Sequence, residues 1–249
     1  MARETMLVEQ AVFTSANVRQ LGHCDLVARS AGVDEALAKK LMTWCPAFWD
    51  LNEQHRESFN YFLPTPERLV LCRSVYSRSE YGRAEGGRLT TLAMILDPQQ
   101  LAGFQHNIVL FATTIRSMGM LTLPTNPSAS LERLEVPQRT LLTGEESVAA
   151  LDANTTAKIM RAIEIHKRVA IFGRVNPLHF LCSLLAQVPA EQRWQTSFCT
   201  ALKVSELRPF HLQFFPVEHP NLKRELVQAQ LRTITLDRAE IPASMARAG

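Results

Sequence analysis

Few side chains in this sequence have the types and the spacing that catalysis or metal binding requires. His23, Cys24 and Asp25 place a base, a thiol and a carboxylate side by side. Neighbouring side chains of a strand point to opposite faces, so these three residues are not expected to form one site. The second half holds four histidines at spacings that match no metal-binding pattern: His166, His179, His211 and His219. We therefore predict no catalytic residue and no metal site.

The common nucleotide-binding and hydrolase motifs are also missing. The sequence contains no GxSxG, no GxxxxGK[ST], no GxGxxG and no HExxH. An ordinary P-loop nucleotide hydrolase is therefore excluded, and no cofactor is predicted. The sequence favours a non-enzymatic protein, and a hydrolase with an unfamiliar site stays open as an alternative.

One loop-like segment carries residues suited to binding another molecule. Residues 77–87 read SRSEYGRAEGG, in which three glycines give the backbone freedom. Arg78 and Arg83 could receive an acidic or phosphate group, and Tyr81 lies between them. We predict that Arg78, Tyr81 and Arg83 bind a partner; the alternative is a hairpin loop with solvated charges.

An aromatic cluster at a predicted helix end has two interpretations. Trp44, Phe48 and Trp49 lie within six residues of one another, next to Pro46. Packing between elements is the interpretation that we favour. The alternative is a hot spot for a partner, since tryptophan is enriched in such sites.

Composition limits the class of protein. The chain has 249 residues, 46% of them hydrophobic, which is enough for one large domain or two small ones. A formal net charge of +3, with basic residues scattered, gives no sign of nucleic-acid binding. No run of 18 apolar residues predicts a membrane span, and the N-terminal residues do not resemble a signal peptide. The five cysteines form no CxxC pair, so we expect buried thiols in a cytoplasmic protein.

Hydrophobic periodicity predicts an α/β protein with two different halves. The first half reads as strands and helices of an antiparallel, α+β type, with one helix predicted from Pro98 to about Met118. The second half begins with a helix at residues 154–165, for which Asn154 is the candidate N-cap. Strand, turn and helix follow at residues 168–186, which is typical of an open α/β sheet. Proline and small polar residues are frequent between the halves. The predicted division is residues 1–119, a linker at 120–149, an α/β part at 150–237 and a flexible tail at 238–249.

Two stretches carry a family resemblance. The first is VEQAVFTSANVRQLGHCDLVARSAGVDEALAKKLMTWCP, followed by residues 76–96. The second is KRVAIFG with LLAQVPAEQRWQTSFCTAL, in which Pro189 to Arg193 form a Pro-x-x-x-Arg turn. Both resemble the N-terminal domain, type two, of the bacterial GTPase-associated protein one family. The family often has a histidine after the threonine of the strand that follows the Gly-Arg loop, whereas Leu92 follows Thr91 here.

A second resemblance, in the order of elements, is to eukaryotic DENN modules. Those modules combine a longin-like antiparallel sheet, a linker and a doubly wound sheet, and they bind small GTPases and promote nucleotide exchange. The matching segments here are residues 167–172, residues 178–185, Pro189 and Trp194. This resemblance implies a DENN-like arrangement for the two halves.

The resemblances imply a protein-interaction module that binds a small GTPase in a bacterial signalling or conflict system. Its role would be to promote nucleotide exchange or to act as a scaffold. The alternatives are a structural subunit of a larger assembly, which would bind another protein subunit, and the hydrolase mentioned above. The oligomeric state is not predicted.

Overall fold

The structure is a computed structural model of the whole chain. It describes residues 5–16, 24–51, 56–77, 87–124, 130–138, 151–216, 220–236 and 242. Every structural statement below concerns these residues.

One mixed sheet runs through the described part of the chain, in the order β11-β8-β10-β9-β3-β4-β5-β1-β2-β6, with β7 paired to β1. Its strands are β1 (Thr5–Ala16), β2 (Asp25–Ser30), β3 (Glu57–Thr65), β4 (Arg68–Ser77), β5 (Arg88–Leu96), β6 (Ser130–Leu131), β7 (Leu134–Pro137), β8 (Val169–Phe172), β9 (Phe198–Cys199), β10 (Leu212–Phe215) and β11 (Arg232–Thr235). The α-helices are α1 (Glu35–Trp44), α2 (Ile108–Ser117), α3 (Ala153–His166), α4 (Pro177–Ala186), α5 (Ala190–Arg193) and α6 (Pro220–Gln228). The predicted α/β class is confirmed.

The first half of the chain forms the antiparallel part of the sheet. Strands β2, β1, β5, β4 and β3 pair in that order, each antiparallel to its neighbour. Residues 130–137, within the predicted linker, form β6 and β7, which pair with β2 and β1. The division of the chain at residues 119 and 149 stays a prediction.

The second half adds parallel strands to the same sheet. Strand β8 lies between β10 and β11 and is parallel to both. Strand β9, only two residues long, is parallel to β10 and antiparallel to β3. Among the described strands, β9 is therefore the one that connects the antiparallel part of the sheet to the parallel part.

Both faces of the sheet are covered by helices. On one face, α2, α3 and α4 contribute to a hydrophobic cluster that extends across both halves. On the other face, α1 packs over the antiparallel strands and α6 over the parallel strands. Because the first cluster is shared, the halves bury apolar surface against each other as well as sharing a sheet.

Two details of the predicted helices are wrong. The single helix predicted from Pro98 to Met118 is two helices in the structure. A 3-10 helix (Pro98–Phe104) ends at Phe104, and α2 begins separately at Ile108. Gln105 and His106 have positive φ angles of 54° and 56°, which a continuous helix cannot accommodate. Asn154 was the expected N-cap of α3, whereas Asp152 caps it by accepting a hydrogen bond from the Thr155 amide.

The Pro-x-x-x-Arg turn has a structural role at the contact between the halves. The Arg193 guanidinium donates hydrogen bonds to three main-chain carbonyls, those of Ala186, Val188 and Gln105. Ala186 is the last residue of α4 and Val188 lies two residues after it, whereas Gln105 belongs to the first half. The planar guanidinium supplies the several fixed donors that this geometry needs.

A partly buried carboxylate holds the turn between β2 and α1. Glu9 Oε2 accepts hydrogen bonds from Ser30 Oγ at 2.5 Å and from the Gly32 amide at 3.1 Å. Its other oxygen, Oε1, lies 3.3 Å from Arg133 Nε. The close approach leaves no room for a side chain at position 32, because a Cβ there would lie 2.2 Å from Glu9 Oε1.

We predict that Gly32→Ala lowers the free energy of unfolding by about 1–3 kcal/mol, because the Glu9 carboxylate must move out of its hydrogen bonds. Urea denaturation measures the change. In a Glu9→Ala background the clash is gone, so the same substitution should then cost nearly nothing. Equal costs in the two backgrounds would contradict this explanation.

Candidate functional site

The predicted partner-binding loop leaves the sheet at one identifiable end. Strands β4 and β5 form a hairpin in which Ser77 pairs with Arg88. Arg88 also pairs with Ala16, the last residue of β1. The β4–β5 and β1–β2 connections therefore leave the sheet at the same end.

The residues predicted to bind a partner lie within the β4–β5 connection. Arg78, Tyr81 and Arg83 are outside the described residues. The proposed role of these three side chains stays a prediction.

The aromatic cluster divides into a packed part and an exposed part. The Trp44 ring stacks on Phe62 at a centroid distance of 4.6 Å and meets the edge of Phe210 at 5.3 Å. Phe48 packs against Tyr76 at 5.0 Å. Trp49 follows in the same 3-10 turn, and 49% of it is exposed. The packing interpretation is correct for Trp44, whereas Trp49 presents its ring to solvent.

We call the three-residue 3-10 turn Phe48–Asp50 the Trp49 turn. The antiparallel half holds it at Phe48. The Phe48 amide donates a hydrogen bond to Ser15 Oγ at 2.9 Å, and the Tyr76 hydroxyl donates one to the Phe48 carbonyl. Tyr76 lies two residues before Arg78, so the turn is adjacent to the root of the predicted loop.

The parallel half holds the Trp49 turn at Asp50. Arg208 Nη1 lies 2.7 Å from Asp50 Oδ2, and the same oxygen accepts a hydrogen bond from the Ala47 amide at 2.7 Å. The Lys203 amide donates to the Asp50 carbonyl at 2.7 Å. Leu207, next to Arg208, is 76% exposed. The turn is thus fixed from both sides while Trp49 remains accessible.

A shallow groove of about 340 Å³ lies between β2 and α1. Val27 and Met42 are the exposed apolar residues that line it, and the surface pair Glu35–Lys39 lies on its helical side. The groove is therefore lined by a mixture of exposed apolar side chains and surface charges.

Burial accounts for most of the shifted pKa values in the described part of the chain. Burial raises the pKa of the Cys199 thiol to about 11, and it also raises the pKa of Cys182 and of Tyr61. Burial, assisted by contacts with the Cys24 and Cys72 thiols, raises the pKa of Cys45. All five cysteines are buried free thiols, as predicted. The raised pKa values make the Cys45, Cys182 and Cys199 thiols poor nucleophiles.

The two side chains that most resemble a catalytic pair, Ser197 and His211, lie at the starts of β9 and β10. Ser197 Oγ lies 2.9 Å from His211 Nδ1, and the Ser197 amide donates to the same nitrogen at 3.1 Å. The His211 amide in turn donates to Ser197 Oγ at 3.0 Å. Ser197 is only 4% exposed. The pair therefore cross-links two parallel strands at a place closed to a substrate.

The other predicted candidates lie apart. Cys24 is buried whereas Asp25 is exposed, and His166 and His179 are exposed on separate helices. His23 and His219 are outside the described residues. Within the part of the chain that the structure describes, no three His, Cys, Asp or Glu side chains are placed to hold a metal ion. No described helix is long and apolar enough to cross a membrane.

The residues that fix the Trp49 turn could not be found from the sequence. Ser15, Asp50 and Arg208 are far apart in the chain, and no motif links them. Asp50 and Arg208 are 158 positions apart, so their ion pair depends on the order of the strands. Periodicity reports local structure and cannot reveal such a contact.

The fold and the site together define an α/β protein in which a turn with a half-exposed tryptophan is held by both halves of the sheet. The family model of GTPase-associated protein 1, N-terminal domain type 2, matches residues 7–136, just over half of the 249 residues. The chain belongs to this family. A comparison with curated proteins gave no match.

The two tryptophans should differ in what they contribute to stability. Trp44→Ala removes a stacked ring and should lower the free energy of unfolding by about 3 kcal/mol. Trp49→Ala removes a half-exposed ring with one edge contact, so we expect a loss of about 1 kcal/mol or less. Urea denaturation of both variants checks this contrast. Equal losses would mean that Trp49 is a core residue.

The Ser197–His211 pair predicts a pH dependence of stability. Burial, with a smaller contribution from Lys167, lowers the pKa of His211 below its ordinary value of 6.5. The unfolded chain then binds a proton more readily than the folded protein, so stability falls as pH drops below about 6.5. His211→Gln should reduce the loss of stability between pH 8 and pH 5.5. His179→Gln, on an exposed surface, should behave as the wild type; identical slopes in all three proteins would contradict the assignment.

Proposed function

We propose that this chain is a protein-interaction module that docks a small GTPase through the Trp49 turn and the adjacent β4–β5 connection. The observation that carries the proposal is a half-exposed tryptophan on a turn that is held by hydrogen bonds with Ser15, Tyr76, Lys203 and Arg208. Family membership supports a GTPase as the partner.

Physical chemistry explains why a fixed, exposed tryptophan suits a docking surface. Binding energy in protein interfaces concentrates in a few residues, and Trp, Tyr and Arg are enriched among them. A side chain on a rigid turn loses little conformational freedom when the partner arrives, so more of its contact energy appears as affinity. Arg78, Tyr81 and Arg83 would add residues of the same preferred types from the β4–β5 connection, which in the sequence follows Tyr76 and Ser77.

The docked module would promote nucleotide exchange or act as a scaffold. Exchange needs no nucleophile: a protein that binds the nucleotide-free GTPase more tightly than the loaded form lowers the affinity for nucleotide by the same factor. A scaffold binds both forms equally and leaves nucleotide release unchanged. Both roles suit a contact surface, because neither requires a catalytic group.

The arrangement of the two halves belongs to the same proposal. A longin-like antiparallel sheet at residues 1–119 and an α/β part at residues 150–237, joined by residues 120–149, would correspond to a DENN-like arrangement. Such a module would work in the cytoplasm as part of a bacterial signalling or conflict system.

The family resemblance implies a module encoded beside a small GTPase. Co-purification with such a neighbouring GTPase tests the proposal, together with the rate of nucleotide release in the presence of this protein. Trp49→Ala, and separately a variant with Arg78, Tyr81 and Arg83 all changed to Ala, should weaken binding at least tenfold, because each removes hot-spot residues. Titration calorimetry measures the affinity.

Val227→Ala is the matched control, since Val227 is 73% exposed but lies on α6, on the parallel part of the sheet. It should bind the GTPase as the wild type does. Absence of any complex, or affinities unchanged by the Trp49 and loop substitutions, would overturn the proposal. A complex that leaves nucleotide release unaltered would select the scaffold role.

One observation favours a role as a structural subunit of a larger assembly. The groove between β2 and α1 exposes Val27 and Met42, which are 36% and 40% exposed. Apolar residues around a groove are typical of contacts between proteins. A Met42→Glu variant that loses a stable assembly partner but still binds the GTPase would show this second contact.

A further inference from the structure

We propose that Arg208 is a positioning residue for the Trp49 turn, so that the second half of the chain completes the docking surface of the first. This inference rests on the proposed function, because it concerns how the same surface is built. The family match ends at residue 136, whereas two of the contacts that fix Asp50 come from residues 203 and 208. The matched segment alone would then lack part of its docking surface.

Arg208 is a buried charged residue next to the Trp49 turn. Its side chain is 8% exposed, and Asp50, its partner, is 29% exposed. Nη1 donates to Asp50 Oδ2 at 2.7 Å and also lies 3.5 Å from the carbonyl oxygen of Cys45. Cys45 directly follows α1 and Asp50 is the last residue of the turn, so the two acceptors flank residues 46–49. One guanidinium therefore fixes both ends of the segment that carries Trp49.

The segment that carries Arg208 also closes the hydrophobic core beneath the turn. Cys199, Ala201, Leu202 and Phe210 belong to the cluster that α1 covers in the first half. Leu202 pairs with Leu51, the residue directly after the turn. The second half thus supplies apolar surface under the turn and the charge that orients it.

The hydrogen bonds of Asp50 make the turn sensitive to Arg208. Asp50 Oδ2 accepts from both Arg208 and the Ala47 amide, and the Asp50 amide donates to the Ala47 carbonyl at 3.0 Å. Without the Arg208 guanidinium, the Asp50 carboxylate would keep only one of these two donors, the Ala47 amide. A carboxylate without its ion-pair partner is drawn towards water, and Trp49 is the adjacent residue.

Fluorine NMR of the full chain labelled with 5-fluorotryptophan tests the inference without any partner. The protein has three tryptophans, Trp44, Trp49 and Trp194, which single Trp→Phe variants assign. In Arg208→Gln we expect the Trp49 resonance to broaden or to shift towards the frequency of free 5-fluorotryptophan. The Trp194 resonance should stay in place.

A second variant keeps the test decisive if Arg208→Gln folds poorly. Asp50→Asn retains an oxygen for the Ala47 amide but loses the charge that Arg208 binds, and it should shift the Trp49 resonance in the same way. Arg193→Gln is the control, since Arg193 contacts main-chain carbonyls distant from the turn in sequence; it should leave Trp49 unchanged. An unchanged Trp49 resonance in both Arg208→Gln and Asp50→Asn would overturn the inference.

Binding to the GTPase separates this inference from the proposed function. If both hold, Arg208→Gln should weaken the complex about tenfold, by disordering the anchor that Trp49 supplies. If Trp49→Ala leaves the affinity unchanged while Arg208→Gln still moves the Trp49 resonance, the docking proposal fails and the positioning role stands. If Trp49→Ala weakens binding and Arg208→Gln changes neither affinity nor resonance, the positioning role fails alone.

Discussion

The structure depends on the pairing of a two-residue strand. Phe198 and Cys199 of β9 lie between Asn60 and Tyr61 of β3 on one side and Leu212 and Gln213 of β10 on the other. Two strand edges that would otherwise expose unpaired main-chain groups are thereby joined into one sheet. Phe198 packs towards one core with Tyr61, and Cys199 packs towards the other. So short a strand holds its place because it is buried on both faces.

The position of β9 explains how distant residues reach the Trp49 turn. Once β9 lies beside β3, the chain that follows it must pass over the α1 side of the first half. That path brings Lys203 and Arg208 to Asp50 and Phe210 to Trp44. The docking surface that we propose is therefore a consequence of strand order. It combines a rigid main chain with an exposed aromatic ring, the combination that favours binding without a large loss of entropy.

Local structure could be predicted from the sequence, and long-range contacts could not. The strand at Arg88–Leu96 and the start of α4 at Asn176-Pro177 follow from periodicity and capping. The break between the 3-10 helix and α2 was not predicted, because it depends on Gln105 and His106. These two residues adopt left-handed backbone conformations although neither is a glycine. Trp49 was recognised as part of a cluster. Its exposure could not be predicted, because it depends on tertiary packing: Phe62 and Phe210 contact Trp44, whereas Trp49 stays half exposed. The Asp50–Arg208 pair has no local signal at all.

The central claim is that β9 makes the two halves one cooperative unit. Native-state hydrogen exchange followed by NMR tests this claim most directly, by comparing amides of β4 and β5 with amides of β8 and β10. If the account is correct, the slowest amides of both groups open with the same free energy, equal to that of global unfolding. Exchange of the β8 and β10 amides at a clearly lower free energy, with β4 and β5 still protected, would contradict it.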